Sequence, residues 1–596
     1  MPLRVQGSVT APSWPYCGLD AAADGVGCQG RSVEPHTACL AHLSDADRSA
    51  YFAGLRPGAD LDHSGTHFTE ELLGELLAAV IDPATDLPWL GQAVFVKARF
   101  SGDARFGRAQ IDGDARFDGA QISGNAQFSG AKINGDALFP EAKIHGECAF
   151  NDAEIGCFTK FDDAEIGSHV FFNNAKLGHV LFHNVKIGGN AYFFRATISD
   201  DAWFEMMEFG GDARFDWVNF GGNLRFVRTV FARTAHVGPL VCAGVLDVSE
   251  AVFQGAATIE AAAVAVECWR TRWASTAALR LRHAVTNLSD AVLEYPVSLA
   301  AHARPFTLHG VQMLEAGLTD PRVRVVSLRG VDAAHLVLTD VDLTACLFAG
   351  TIHLDQLRLE GRCLLATTPS GLRRRGVWPV RWTSRRTLAE EQHWRAARSQ
   401  DTDGWMPVPE GETALEPAAL APVYRQLRKA FEDGKDEPGA ADFYYGEMEM
   451  RRHDHGAPRA ERALLAVYWA LSGYGLRASR ALGWLLAAMT ATVLAMMLWG
   501  LPRDAPTPKS VGTLTGRSIT MTTDTPDPVN PNESYAVRLS SERFEESLRV
   551  VINSVIFRSS GQELTTAGTY TEMVSRLAEP VLLGFAVLAI RGRVKR

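Results

Sequence analysis

Cys17, Cys28 and Cys39 stand eleven residues apart, and His42 follows Cys39 by three. Three thiolates and one imidazole complete a tetrahedral zinc set, and the Cys39-x-x-His42 pair has the short spacing of a zinc knuckle. His36 is an alternative ligand, and the competing reading is three buried free thiols that only pack. Residues 1–65 are rich in Gly, Pro and Asp, so a metal would supply the stability that a small core cannot. Zn at this N-terminal segment is therefore the expected cofactor, with none elsewhere.

A second group with chemical potential lies near the C-terminus. Glu572, Arg576 and Glu579 interrupt an otherwise apolar stretch. Arg576 can pair with Glu572 at i,i+4 or with Glu579 at i,i+3. Catalytic groups are not apparent: no nucleophile–base pair stands at a recognisable spacing, and no dinucleotide-type glycine fingerprint opens a βαβ unit. His145, His169, His179 and His183 fall at repeat positions that face outward. The chain is expected not to be an enzyme.

The elements that carry these groups follow from a repeat. Phenylalanine recurs every eleven residues at Phe106, Phe117, Phe128, Phe139, Phe150, Phe161 and Phe172, slips by one to Phe182, then resumes through Phe226. Ile111, Ile122, Ile133 and their successors lie midway, so large apolar residues alternate at steps of five and six. Small residues stand two before most of them, and glycines such as Gly113, Gly124 and Gly135 mark the longer step. Such spacing does not stay on one face of a helix. It suits short strands joined by tight turns, with glycine supplying positive φ, and a fixed short period signals a solenoid.

The pattern resembles the pentapeptide-repeat family, whose unit places a small residue two before a central Leu or Phe. A stricter stretch with Leu338, Leu343 and Phe348, preceded by Val341 and Cys346, strengthens the likeness. The resemblance implies a mainly β fold, a right-handed quadrilateral β-helix, with an α-helical C-terminal part including transmembrane helices. Here two eleven-residue units make one coil, stacked at about 4.8 Å. The wider chain, from about residue 93 on, resembles bacterial membrane-anchored pentapeptide-repeat proteins. Its helical hairpin (YRQLRKAF…DFYYGEMEMRR) and juxtamembrane stretch (VYWALSGYGLRASRALGWL) carry that likeness.

The expected organisation is a Cys/His segment at 1–65, a capping helix within 66–92 and the regular β-helix over 93–232. A degenerate continuation follows at 233–370, a basic and aromatic linker at 371–420, a helical hairpin with a juxtamembrane helix at 421–476 and a membrane domain at 477–596. Within 66–92, Thr69 caps a helix whose Leu72, Leu73, Leu76, Leu77 and Val80 share one face, suited to closing an open β edge.

The chain has 596 residues, 46% of them apolar, and a formal net charge of −10, which argues against general nucleic-acid binding. Residues 93–232 hold 18 Asp and Glu against 14 Lys and Arg, too nearly neutral for an acidic nucleic-acid mimic. The N-terminus has no apolar signal core, so the bulk is expected in a reducing cytoplasm without disulfides.

Residues 481–501 carry no charge and are long enough to span about 30 Å of hydrocarbon. A second span is expected at about 570–590. Arg477 and Arg480 precede the first, and Arg591, Arg593, Lys595 and Arg596 follow the second, so both termini are expected in the cytoplasm of a multi-pass protein of the cell membrane. Between the spans, residues 565–570 have the position of a pore loop but not the order of a potassium filter.

The leading expectation is a non-enzymatic integral membrane protein whose cytoplasmic solenoid is a protein-interaction scaffold. Its partners would be the lipid bilayer, an unknown protein on the solenoid and, as a candidate, a second copy of the chain, with no nucleic acid. The alternative is a two-span channel or mechanosensitive pore with the solenoid as regulatory domain.

Overall fold

A computed structural model describes residues 11–19, 27–370, 372–375, 378–381, 383–398, 404–503, 507–524, 526–529, 531–532, 534–556 and 563–594. The side chains of Arg591 and Arg593, Lys595 and Arg596, and much of the basic run at 371–382 lie outside that description. The chain forms two compact units, Met1–Ala414 and Leu415–Arg596.

The first unit is a β-solenoid of about 13 turns. Each regular coil is two elevens long and contributes four short strands, as at 104–105, 110–111, 115–116 and 121–122. Every strand pairs in parallel with its counterpart one coil on, for example Ala104 with Ala126 and Ile111 with Ile133. Side chains therefore meet copies of themselves. Phe106, Phe128, Phe150, Phe172, Phe193 and Phe215 stack with centroids 4.6–5.2 Å apart and planes within 9°. Phe95, Phe117, Phe139 and Phe161 form a second column, and the columns meet edge to face, as for Phe117 and Phe128 at 5.3 Å and 83°. All are fully buried, each contributing about 1.5–3 kcal/mol.

At the one-residue slip the two columns differ: Phe172 and Phe193 stay parallel at 7°, but the other column tilts. Phe182 arrives one position early above Phe161, and its ring tilts 52° from that below and 70° from that above. Near-parallel stacking returns at Phe204 and Phe226.

Glycine's role differs from the expected one. The left-handed residue of each turn comes two after the phenylalanine, and it is glycine at Gly119 and Gly130 but Arg108, Glu141, Asp152, Asp163 or Asn174 elsewhere. Gly124 and Gly135 answer a different demand. A Cβ on Gly124 would lie 2.5 Å from the Asp103 carboxylate, and one on Gly135 would lie 2.4 Å from that of Asp114. Those side chains accept backbone N–H groups from the next coil: Asp103 from Asn125 at 2.9 Å, Asn125 from Glu147 at 2.8 Å, Asp114 from Asp136 at 3.0 Å. A ladder of Asp and Asn side chains thus runs up the corners.

From residue 233 the same sheets continue on one axis. The midway column changes from isoleucine to Phe209, Phe231, Phe253 and Trp273, stacked at 5.1, 4.7 and 4.4 Å. Past Phe253 the paired positions Phe253, Trp273 and Leu293 stand four strict five-residue units apart. The period that is hidden by a doubled eleven in the first half is explicit here.

Both ends are closed by short helices. At the start, α1 (Asp45–Gly54) and α2 (Glu70–Ala78) pack before the first regular coils. Thr69 accepts from Leu72 N, Leu72, Leu73, Leu76 and Leu77 are buried, and Glu70 accepts the Asp103 N–H at 3.2 Å. At the far end, α3 (Ala389–Ala397) presents Glu390 to the N–H groups of Phe348 and Ala349 at 2.6 and 2.9 Å. Glu391 of the same helix is buried and held by Arg385 and Arg395. Residues 383–398 are therefore part of the solenoid's closure, and Glu412 extends it through a bidentate pair with Arg329 at 2.7 Å.

Among its described residues, the second unit is helical apart from one hairpin of strands at Lys509–Thr515 and Ser518–Asp524. Its helices are α4 (Pro417–Asp433), α5 (Glu437–His453), α6 (Arg459–Ser472), α7 (Ala478–Ala495, continued by a π turn to Gly500), α8 (Tyr535–Arg538), α9 (Ser541–Ile556) and α10 (Thr566–Val594).

Two outcomes follow from this packing. Phe128→Ala should lower stability by about 3–5 kcal/mol, whereas Gln127→Ala on the outer face should change it by no more than about 0.5 kcal/mol; denaturant titration of both separates an inward from an outward ladder. His63 tests the N-terminal end. It is wholly buried beside Tyr51, Phe68 and Phe95, and burial pulls its pKa down to about 4 against a weaker opposing pull from Asp62. Unfolded, it takes a proton near pH 6.5, so its contribution is complete above that value and is lost as pH falls toward 4. Hydrogen exchange over residues 45–68 should accelerate across that window, and His63→Phe should flatten the change.

Candidate metal centre

Two short hairpins bring the four predicted ligands together. The chain pairs Tyr16 with Arg31, and Cys17 N donates to Gly30 O while Cys28 N donates to Leu19 O, which sets Cys17 and Cys28 on facing strands. The return from Ser32 to Cys39 forms a second bridge, and a 3-10 turn, Leu40–His42, aims His42 back. Gly30 is required by close approach, since a Cβ there would lie 2.7 Å from that of Cys39.

The ligand atoms of Cys17, Cys28, Cys39 and His42 all lie within 4.8 Å of one another. Cys28 Sγ and Cys39 Sγ are 3.7 Å apart, and His42 Nδ1 lies 3.4 Å from Cys39 Sγ and 3.5 Å from Cys17 Sγ. Tetrahedral bonds of about 2.3 Å to sulfur and about 2.0–2.1 Å to nitrogen require ligand–ligand separations of roughly 3.5–3.8 Å. The donor set therefore fits a single tetrahedral cation. His36 is not part of the cluster.

The electrostatics agree. Burial, then the neighbouring Cys28 and Cys17, push the Cys39 thiol up to about 12. A divalent ion at the centre would supply the positive charge that favours the Cys39 thiolate. The cluster is tied down by Trp14 Nε1 donating to Gln29 O at 2.9 Å, by Arg31 N donating to Ser64 O at 2.7 Å, and by an Arg31–Asp62 pair at 3.1 Å.

The C-terminal group is arranged differently. α7 and α10 run antiparallel: Gly500 meets Gly568 closely, and further along Thr492 Oγ1 lies 2.8 Å from Glu579 Oε1. Arg576 pairs with Glu572 at 2.7 Å, so the i,i+4 choice is the one made. Glu579 turns to Thr492 of the facing helix and is fully buried. Residues 566–570 begin α10, with the Thr565 hydroxyl accepting from Gly568 N and donating to Trp499 O, so this segment is a helix start and not a pore loop. Sequence reasoning missed Arg543. Its guanidinium donates to the carbonyls of Met497, Leu501 and Pro502, tying α9 to the open end of α7.

The helical hairpin packs through Leu420, Tyr424, Leu427, Phe431, Ala440 and Phe443. Gly446 lets the Tyr424 ring lie on the α5 backbone, where a Cβ would meet it at 2.2 Å. Met448 instead joins Tyr445, Leu465 and Tyr474 in a second cluster.

Comparison with protein families, with characterised proteins and with solved structures found no match to this chain. What is established is a repeat β-solenoid with a Cys3His cluster able to hold a metal, joined in sequence to helices of which two are long and apolar enough to cross a membrane.

Elemental analysis of the purified full-length protein is expected to find about one divalent metal ion per chain, lost in Cys39→Ser. Because the thiols must shed protons to bind it, retention should fall as pH is lowered. A chain that holds no metal and keeps residues 11–68 protected in chelator would leave the four residues as packing groups.

Proposed function

We propose that this chain is a membrane-anchored scaffold of the bacterial pentapeptide-repeat type, without catalytic activity. Its solenoid offers a long, rigid surface to a protein partner in the cytoplasm, its hairpin of α7 and α10 fixes it to the cell membrane, and a structural zinc braces its N-terminal end.

One observation carries the membrane part. Ala478–Gly500 and Thr566–Ile590 bury only 28% of their apolar windows, whereas the core helix of a soluble protein is mostly covered. Val574, Leu577 and Leu486 are 68%, 75% and 68% exposed, while Glu572 and Glu579 are buried. Apolar side chains outward and ionisable ones inward is the arrangement that hydrocarbon demands. Trp484 and Trp499 near the two ends of α7 suit the interfaces. The orientation rests on the basic residues flanking both spans, which favour an inside location for both termini.

The scaffold part is supported by the solenoid's regularity. Repeat rods give extended surfaces whose rigidity lowers the entropy cost of docking. Zinc is favoured over other metals by a donor set of three sulfurs and one nitrogen at tetrahedral spacing. A conducting module would need several copies of the hairpin, because two helices enclose no aqueous path.

Orientation is open to a direct test, because Cys157 is exposed on the solenoid and Ser534 is exposed between the spans. In intact cells an impermeant thiol reagent should label Ser534→Cys and leave the wild-type chain unlabelled until the cells are opened. Wild-type labelling in intact cells would place the solenoid outside and overturn the topology.

A further inference from the structure

The end of the second unit at which α7 begins carries a pocket of unusual lining. A cavity of about 540 Å³ is bounded by Arg452, His453, Arg459, Arg462, Ala463 and Ala466. Three arginines, a histidine and two alanines line it, with no acidic side chain among them. Arg459, Arg462, Ala463 and Ala466 follow one another at helical spacing, so one stripe of α6 forms the wall, and the alanines leave the volume open.

The charges divide into matched and unmatched. Arg451 pairs with Glu461 at 2.8 Å, and Arg452 pairs with Glu449 at 3.0 Å while lying 4.6 Å over the Trp469 ring. Glu449 is buried and also accepts from the Tyr474 hydroxyl at 3.0 Å, so the nearby acids are already committed. Arg459 and Arg462 have no ion-pair or side-chain hydrogen-bond partner among the described residues, and Arg462 Nε is buried without one. Pro458 starts the helix and supplies no side-chain cap. Unmatched guanidinium groups around an open volume suit a phosphate, which they can bind through paired N–H donors.

The source of that phosphate is indicated by the rest of α6. Leu464 and Val467 are 69% and 57% exposed on the same helix. Its C-terminal half lies against the hairpin: Trp484 Nε1 donates to Ala470 O at 3.0 Å, Arg480 donates to Trp469 O at 2.8 Å, and Tyr468 packs near Phe585. A helix with an apolar face, held at the mouth of two spans and carrying unmatched arginines, has the form of an interfacial helix. We propose that this pocket binds the headgroup phosphate of an anionic phospholipid, with Leu464 and Val467 lying among the acyl chains. The inference rests on the membrane reading of α7 and α10.

The test uses full-length protein in vesicles and separates the two readings. Alkaline carbonate is applied first; release of the protein would sink the membrane reading itself. With embedded protein, the lipid retained is measured by native mass spectrometry from mixtures of phosphatidylglycerol and phosphatidylcholine. Wild type should prefer the anionic lipid, and R459Q/R462Q should lose about 30-fold of that preference, at about 1 kcal/mol per arginine. R425Q/K435Q removes equal charge outside the pocket and should keep it. Equal preference in wild type and R459Q/R462Q would overturn the proposal with the membrane reading intact. So would displacement of the lipid by inorganic phosphate at matched concentration, which would mark a soluble-anion site. Competition by an acidic peptide with no lipid preference would point to a protein partner and overturn it equally.

Discussion

Each side chain of the solenoid must fit a copy of its own position one coil away, about 4.8 Å distant. A column of phenylalanines meets that demand because flat rings stack at this distance, and two columns set edge to face fill the interior with both favoured aromatic geometries. The small residues opposite them follow from volume, since a coil of two elevens must enclose a narrow section. The demand is met even where a coil shortens. Phe172 and Phe193, one residue closer in sequence than their neighbours, still stack at 5.1 Å and 7°, while in the other column Phe182 tilts 52° from Phe161 and 70° from Phe204. Backbone pairing continues through the slip. The ladder therefore absorbs a lost residue with the disturbance confined to one ring.

The same rule makes ends a problem. An interior coil satisfies its N–H groups from the coil beside it, and the corner groups through Asp103, Asn125 and their successors. The first and last coils have no such neighbour. Both ends answer with a glutamate on a short helix: Glu70 accepts from Asp103 N, and Glu390 from Phe348 and Ala349 N. A glutamate side chain reaches further than aspartate, and so can imitate the missing corner from a helix that lies across the stack. The Cys3His cluster adds to this at the N-terminal side, where Arg31 N and His63 N donate to Ser64 O and Val94 O respectively. Cluster and helix together cover the edge that an unprotected parallel sheet would offer to other chains.

The ladder was legible because a burial pattern that repeats identically leaves a mark at every coil: Phe106 through Phe161 could be placed inside by spacing alone. The Cys3His grouping was legible for a similar reason, as ligand types are few and the Cys39–His42 step is short. The glycine assignment was wrong in its physics. Gly124 and Gly135 stand at the longer step because an Asp side chain arrives from the previous coil, a contact across almost a full coil that no local rule describes. The recurring Gly-Asp/Asn-Ala triplet was the available signal. The continuation past residue 233 looked degenerate because Trp273 and Leu293 replaced phenylalanine and the coil shortened by two. Pairing across such changes of residue is visible only when the coils are stacked. Glu390 was unreadable as a cap, since a buried glutamate on an amphipathic helix has no spacing that marks its partner.

In the helical unit the burial rule reverses between α4–α5 and α7–α10, and the stretch that joins α6 to α7 has to serve both regimes. On α7 and α10 the exposed surface is Leu, Val and Trp, and the carboxylates face inward. On α4 and α5 the exposed surface is charged, and the aromatic rings face inward. The change occurs around Trp469, where Arg452 of α5 lies 4.6 Å over the ring and Arg480 of α7 lies 5.0 Å over it. Its Nε1 donates to Tyr445. A tryptophan can join the two because its ring attracts cations while its area remains apolar. The turn that follows places Gly473, Tyr474 and Gly475 in succession at φ of 56°, 59° and 73°. Three left-handed residues in a row cannot extend a helix, so α6 must end and the chain must reverse there. That reversal sets the C-terminal half of α6 against α7 and α10, through Tyr468, Trp469 and Ala470.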